Sequence, residues 1–432
     1  MTTAHPSHSP DRTVIGRYRV DRAVGQGGMS QTWRCTLAGM GGFRKLVLVK
    51  MLDPGRAADP EYVTMFLDGA RLSARLSHPN IAQVFEVGEQ DGVPWLAMEY
   101  VAGPNLAMIS HRLRRGGRRH YGHIGRLMAD VARGLDHAHR LRDDHGRPLG
   151  IIHRDVSLGN AVVSPEGVAR LIDFGIAWSR TKSNQTADGV LKGKLHYMAP
   201  EQLEGDVDHR VDIYQAGVCL YWLLTGRPPF HHRDPVRLWR QRLEGNPALP
   251  SSLRPDVPVA LERVVMRALH RSPERRFATA GELADALVAA VQTPGPWRST
   301  PSEVGPWVRS LFDAPAWEDF RTCSVEFQDT DAELDRDALA WSSDPAGPAV
   351  DALRVEVYEP DSEDSLRVPI SGRGRRLDDD APIEHLRALT SAEAPRPRPA
   401  AAPEQRWPLL VAAVGGAGLS LLAVGFGLWW LG

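Results

Sequence analysis

The sequence predicts an α+β fold of two unequal lobes, a small β-rich one followed by a larger helical one, with a transmembrane helix at the C-terminal end. Three observations predict it. Up to about residue 104 short apolar runs alternate with glycine turns. From there to Gln292 apolar residues recur at helical spacing, and residues 409–431 carry no charge at all. At 432 residues, 42% apolar and 24% charged, the chain exceeds one ordinary core, so a large folded domain with tails is expected. Its 52 basic and 53 acidic residues leave a formal charge of -1, which excludes a global pull toward nucleic acid. Cys35, Cys219 and Cys323 lack the spacing of a zinc site or a disulfide framework and fit a reducing compartment.

Residues 1–16 read as a polar tail without the apolar run of a signal peptide. Strands follow at 18–25, 32–37 and 46–52, then a hairpin of 83–87 and 93–99 joined by Gly88-Glu-Gln-Asp-Gly92. Between them Met65, Leu72 and Leu76 mark one helix over 61–76, packed on the small sheet. In the second lobe Ile124, Leu127, Met128, Val131 and Leu135 share a helical face, as do Leu261, Val264, Val265, Ala268 and Leu269. Residues 293–405 are Pro-rich at both ends and acidic in the middle and read as a largely disordered linker, within which Trp307-Val-Arg-Ser-Leu-Phe312 has the pattern of a short docking helix. Residues 409–431 would form a helix of roughly 35 Å, long enough for a hydrocarbon core of about 30 Å. Trp407, Trp429 and Trp430 flank it, and Arg396, Arg398 and Arg406 before it place the folded domain on the cytoplasmic side of an inner membrane.

The chemistry lies in short motifs. Val24-Gly-Gln-Gly-Gly-Met-Ser30 places Gly25, Gln26, Gly27 and Gly28 in a turn between strands, where glycines let backbone N–H groups close over phosphates. Lys50, at the end of Val47-Leu-Val-Lys50, is a cation placed for the α- and β-phosphates. In Gly150-Ile-Ile-His-Arg-Asp-Val-Ser-Leu-Gly-Asn160, Asp155 is spaced to accept a substrate hydroxyl proton and Asn160 to hold magnesium. Asp173, in Asp-Phe-Gly175, is the second magnesium ligand. The order and spacing of these motifs is specific where each alone is not.

Over residues 17–292 the chain resembles the bacterial eukaryotic-like (Hanks-type) serine/threonine protein kinases. Ala199-Pro-Glu201 is similar to the family's APE motif, Arg276 to the arginine that pairs with it, and Asp212 to the helix aspartate that braces the catalytic loop. Met98-Glu-Tyr-Val101 looks like the hinge, with Met98 as gatekeeper and the backbone of Glu99 and Val101 against adenine. The resemblance implies a bilobal protein-kinase-like fold, ATP and Mg2+ as cofactors, and transfer of the γ-phosphate to Ser or Thr of proteins, itself included. Three positions depart from the pattern. Gly69 stands nine residues before His78-Pro-Asn80, where the family has the glutamate that pairs with the strand lysine, and its neighbour Asp68 is turned about 100° around the helix. Ser157 stands where many members have a lysine, with Lys194 the candidate replacement cation, and Leu48 replaces an alanine against adenine. The alternative is therefore a pseudokinase scaffold that binds nucleotide or a partner.

Arg154 resembles the arginine that pairs with an activation-segment phosphate, and Thr186, Thr181 and Ser183 are the candidate phosphosites, with Asp188 as a nearby charge. The basic run His111-Arg-Leu-Arg-Arg-Gly-Gly-Arg-Arg-His120 suits an anionic membrane surface. In the terminal apolar segment Ala412, Gly416 and Ser420 recur at a spacing that permits close helix pairing, and so a homodimer, although small residues are common in such helices generally. The expected partners are protein substrates, the membrane and a second copy, with no nucleic acid.

Overall fold

The computed structural model describes residues 14–26, 29–174, 195–203, 207–232 and 234–322. Its first lobe is a six-stranded antiparallel sheet in the order β1-β2-β3-β4-β6-β5. The strands are β1 (Val14–Ile15), β2 (Tyr18–Gln26), β3 (Ser30–Ala38), β4 (Arg44–Leu52), β5 (Val84–Gln90) and β6 (Val93–Glu99). The sheet includes residues three positions before the sequence boundary at Arg17, because Val14 and Ile15 pair with Arg19 and Tyr18 and Ile15 is buried. The hairpin turn is tighter than the pattern suggested: β5 runs on to Gln90, and Asp91 and Gly92 turn the chain at φ 54° and 77°, the Asp-Gly geometry that matches strand twist.

Strand alternation assigns the two faces of β4. Val47, Val49 and Met51 point into a core with Tyr18, Trp33, Cys35 and Trp95, while Leu48 and Lys50 point the other way. A short helix α1 (Pro54–Ala57) leads into α2 (Pro60–Ala74). Helix α2 starts at Asp59, whose carboxylate accepts the Glu61 amide at 2.9 Å with Pro60 in the first turn. Tyr62, Val63 and Phe66 of α2 pack on the sheet core.

The second lobe is built on α4 (Tyr121–Arg140) and α5 (Arg210–Thr225), preceded by α3 (Leu106–Arg114). Ile124, Leu127, Met128, Val131 and Leu135 form the buried face of α4, as their spacing predicted. Helix α5 is buried on every side, and Gly226 ends it at φ 86° with its amide on the Trp222 carbonyl at 2.7 Å. Around it pack α6 (Pro235–Glu244), α7 (Pro250–Leu253), α8 (Val259–Ala268) and α9 (Ala280–Gln292). The two-stranded ladder of β7 (Ala161–Val163) and β8 (Ala169–Leu171) lies at the border of the lobes.

The fold does not stop at Gln292. Helices α10 (Pro301–Ser310) and α11 (Ala314–Thr322) follow and are packed, with Val304, Trp307, Val308, Leu311, Phe312 and Phe320 all buried. The linker boundary at 293 is thus corrected for its first thirty or so residues, because these apolar side chains find a surface on the second lobe. The docking helix expected at 307–312 is the C-terminal half of α10 and its exit. Among the described residues no helix is long and apolar enough to cross a membrane. Residues 409–431 lie outside them.

Asp130 on α4 carries a pH-dependent cost. Burial pushes its carboxyl up to about 6, against the opposing effects of the Ala169 amide and of Arg133 and Arg126. A carboxyl raised in the folded state gives full stability below its unfolded pKa and loses it as pH rises through the folded value. Asp130→Asn, which keeps an acceptor for the Ala169 amide, should therefore stabilise the protein at about pH 8, by an amount approaching ~3 kcal/mol, and not at about pH 4. Thermal melts at the two pH values check this.

Candidate active site

The β7–β8 ladder determines where the acidic motifs meet. Its last pair is Ala161 with Leu171, so Asn160 and Ile172 leave it side by side, and the Ile172 amide donates to the Asn160 carbonyl at 3.0 Å. His153 Nε2 donates to the Ile172 carbonyl at 3.2 Å, and its ring packs 4.5 Å from that of Phe174. Asn160 Nδ2 donates to the Asp155 carbonyl at 2.8 Å and to Asp155 Oδ2 at 3.1 Å. Asp155, Asn160 and Asp173, separate in the sequence, thus form one strip at the open end of a ladder.

Asp212 holds that strip from beneath. It is fully buried on α5 and accepts the amides of His153 at 2.8 Å and Arg154 at 2.7 Å, and His139 Nε2 at 2.7 Å. Burial alone would raise its carboxyl, but the His139 hydrogen bond and the charges and amide around it keep it below the ordinary aspartate range. Those amides offset the cost of a left-handed backbone at Arg154, φ 61°. Gln215, one turn on from Asp212, accepts the Val156 amide at 2.9 Å and donates to the Arg154 carbonyl at 3.0 Å and to Gln202 at 3.1 Å. Sequence reasoning missed Gln215, although its spacing of three from Asp212 puts both on one helix face.

Lys50 reaches the strip from above. On one cross-strand row Gly25 pairs with Thr32, Thr32 with Lys50 and Lys50 with Leu96, so the lysine shares a row with the glycine turn. Its Nζ lies 2.9 Å from Asp173 Oδ1, and both side chains are partly exposed. Asp173 takes φ 55° at this point. The carboxylate that Lys50 meets is therefore that of Asp173, in the Asp-Phe-Gly motif. Asp68, the nearest acidic neighbour of Gly69, instead pairs with Arg71 at 3.2 Å and is exposed.

The sequence pattern of the protein kinase domain family matches residues 18–287. The chain belongs to this family. It is 40% identical over 277 residues to the tyrosine-protein kinase MasK of Myxococcus xanthus, a match covering 63% of this chain and 42% of MasK. It is 33% identical to the serine/threonine-protein kinase PknA of Mycobacterium tuberculosis, over 68% of this chain and 67% of PknA. The kinase domain of Mycobacterium tuberculosis PknI, 30% identical, superposes with a TM-score of 0.48 over 66% of this chain and 99% of that domain. The chain thus spans less than half the length of MasK.

In this kinase domain the hinge runs from Met98 to Val101. Met98 packs with Val24 and Leu48, and Leu96 and Tyr100 close in on the cluster. Val101 is buried with Ala82 and Val162, and the partly buried Ile172 packs against them. The Glu99 side chain serves the scaffold, accepting from Arg170 and from the Gln83 amide at 3.3 Å. The Ala-Pro-Glu segment is fixed by Glu201, which pairs with Arg276 through two bonds of 2.6 and 2.7 Å.

Ser157 is 3% exposed, and its carbonyl accepts the Asn160 amide at 3.2 Å, so the residue there braces the loop. The side chain of Gln26, the glycines Gly27 and Gly28, Lys194 and the candidate phosphosites Thr181, Ser183 and Thr186 lie outside the described residues.

Among the described residues no group of three His, Cys, Asp or Glu side chains forms a metal cage. The donors at the strip are the Asn160 amide and the Asp173 carboxylate, a hard oxygen set too small to enclose an ion alone. It fits magnesium, which keeps waters and substrate phosphates among its ligands.

Proposed function

We propose that this chain is a membrane-anchored serine/threonine protein kinase that transfers the γ-phosphate of MgATP to protein hydroxyls, its own included. The observation that carries the reading is the contact of Asp155 with Asn160 and of Lys50 with Asp173, on two segments that the β7–β8 ladder brings side by side. Asp155 would take the hydroxyl proton, and its carboxylate is oriented by Asn160 Nδ2. Asn160 and Asp173 would hold magnesium, which neutralises charge on the phosphates when bound. Lys50 would position the α- and β-phosphates, and the hinge backbone of Glu99 and Val101 would meet adenine. Arg154, next to Asp155 in the same loop, would be the partner of a phosphate on Thr186, Thr181 or Ser183. Residues 409–431 would anchor the chain in the membrane and, through Ala412, Gly416 and Ser420, pair two copies.

The test is phosphate incorporation by the purified full chain with ATP and magnesium, against Asp155→Asn. Loss of the base should lower incorporation by about 10²- to 10⁴-fold. Phosphoamino-acid analysis of the product separates Ser/Thr from Tyr, the acceptor that the name of MasK brings into question. A second reading, a scaffold that binds nucleotide without efficient transfer, is favoured by one observation: Lys50 occupies the carboxylate that magnesium needs. MgATP binding by the wild type with incorporation no higher than that of Asp155→Asn would establish it. Membrane extraction of the full chain and of a variant with Leu421→Arg and Val424→Arg tests the anchor.

A further inference from the structure

We propose that residues 297–322 form a strap that fixes the hinge from behind, so that the segment after the second lobe is a positioning element of the nucleotide site. The inference rests on the nucleotide-binding reading of the hinge, and on a chain of contacts crossing from one lobe to the other. At the second lobe the His123 ring bonds the Ser299 hydroxyl at 2.7 Å and Arg126 Nε donates to the Ser299 carbonyl at 2.7 Å. Trp307 Nε1 donates to the Arg118 carbonyl at 2.8 Å, so the basic run that ends α3 and continues past it is a seat for α10. Arg112 of the same run stacks 5.2 Å over Phe312. Helix α11 then passes the hinge: the Tyr100 hydroxyl donates to the Phe320 carbonyl, and Arg34 of β3 donates to the Thr322 carbonyl. Tyr100 also packs against the Val24, Leu48 and Met98 cluster beside the adenine position. Phe320 itself is 1% exposed and stacks edge-on with Phe312 and Trp317, at 5.4 and 5.3 Å.

The surface under the strap is shaped for it by glycines. A Cβ on Gly122 would meet the Trp297 carbonyl oxygen at 1.9 Å. One on Gly167, in the β7–β8 turn, would meet the Gly305 amide at 2.3 Å, and one on Gly305 would meet the Glu166 carbonyl at 2.7 Å. Backbone therefore lies against backbone at two places along the strap, at Trp297 and at Gly305, and three glycines make the room, two in the domain and one within α10. Gly167 also serves its turn, at φ 88°, but a loosely attached tail needs neither Gly122 nor Gly305. Gly305 is the informative position, since glycine inside a helix costs about 1 kcal/mol relative to alanine and is retained where a side chain would not fit.

The test uses the full chain with Gly305→Ala, Phe320→Ala and Tyr100→Phe, reading amide hydrogen exchange of residues 98–106 without nucleotide, then ATP affinity. Gly305→Ala should favour the isolated helix and yet undock it. We expect hinge exchange to accelerate about fivefold or more in all three variants, and ATP to bind about threefold to tenfold more weakly. Phe320→Leu should restore most of both, and KM for ATP should rise more than kcat falls. Hinge exchange unchanged in all three variants overturns the strap. Because exchange is read without ATP, a chain that never binds nucleotide fails the functional reading while the strap is still decided.

Discussion

Arg276→Gln should lower the stability of this protein by about 3 to 5 kcal/mol, the cost of leaving one half of a buried ion pair behind. All the guanidinium N–H groups of Arg276 are engaged: Nε with His270, Nη1 with Glu201 and Arg210, and Nη2 with Glu201 and Arg271. The side chain is wholly buried and lies 4.8 Å from the Tyr214 ring, while the Glu201 side chain is 12% exposed. Glutamine replaces two of those hydrogen bonds at most and leaves the Glu201 charge without its partner. For a domain of this size the change corresponds to a melting point lower by roughly 10 °C. Glu201→Gln alone should cost a similar amount, and the double variant much less than the sum, because the uncompensated charge is then gone. Additive losses in that cycle would show that the two residues stabilise the fold separately.

How much of this was legible in the sequence depended on whether a feature is local. Asp155, Asn160 and Asp173 were readable because each sits in a short motif whose spacing survives in the fold, and the β7–β8 ladder merely joins them. The faces of α4 and α8 were readable because burial repeats at the helical period. Partner identity was not. Gln215 looks like any polar residue of a helix until the amide of Val156 is found above it. Residues 297–322 were read as linker outside the short helix expected at 307–312, for the same reason. Prolines and charges there have the composition of a linker, and the glycines that receive them, Gly122 and Gly167, lie far away in the chain. The pairing of Lys50 with Asp173 is the third case: the sequence shows that a glutamate is missing at Gly69, but not where the lysine turns instead.

That substitute pairing makes Gly69→Glu the variant with the largest expected gain. In the wild type the Asp173 carboxylate has two claims on it, Lys50 at 2.9 Å and the magnesium that MgATP would bring. A carboxylate at position 69 would take the lysine and release Asp173 to the metal. A charge-assisted contact of this kind is worth about 1.5 to 3 kcal/mol, so kcat/KM should rise by about tenfold or more, with KM for MgATP falling. Replacing a helical glycine also stabilises α2 by up to about 1 kcal/mol, and Gly69→Ala separates that effect because it supplies the helix gain without the charge. If Glu activates and Ala does not, the missing carboxylate is what limits the wild-type site. If both activate equally, the limit is the stiffness of α2, and the Lys50–Asp173 pair is compatible with transfer. If the wild type is silent and Gly69→Glu is active, the chain is a kinase whose transfer chemistry was switched off at one residue, with Asp155, Asn160 and Asp212 still in place to perform it.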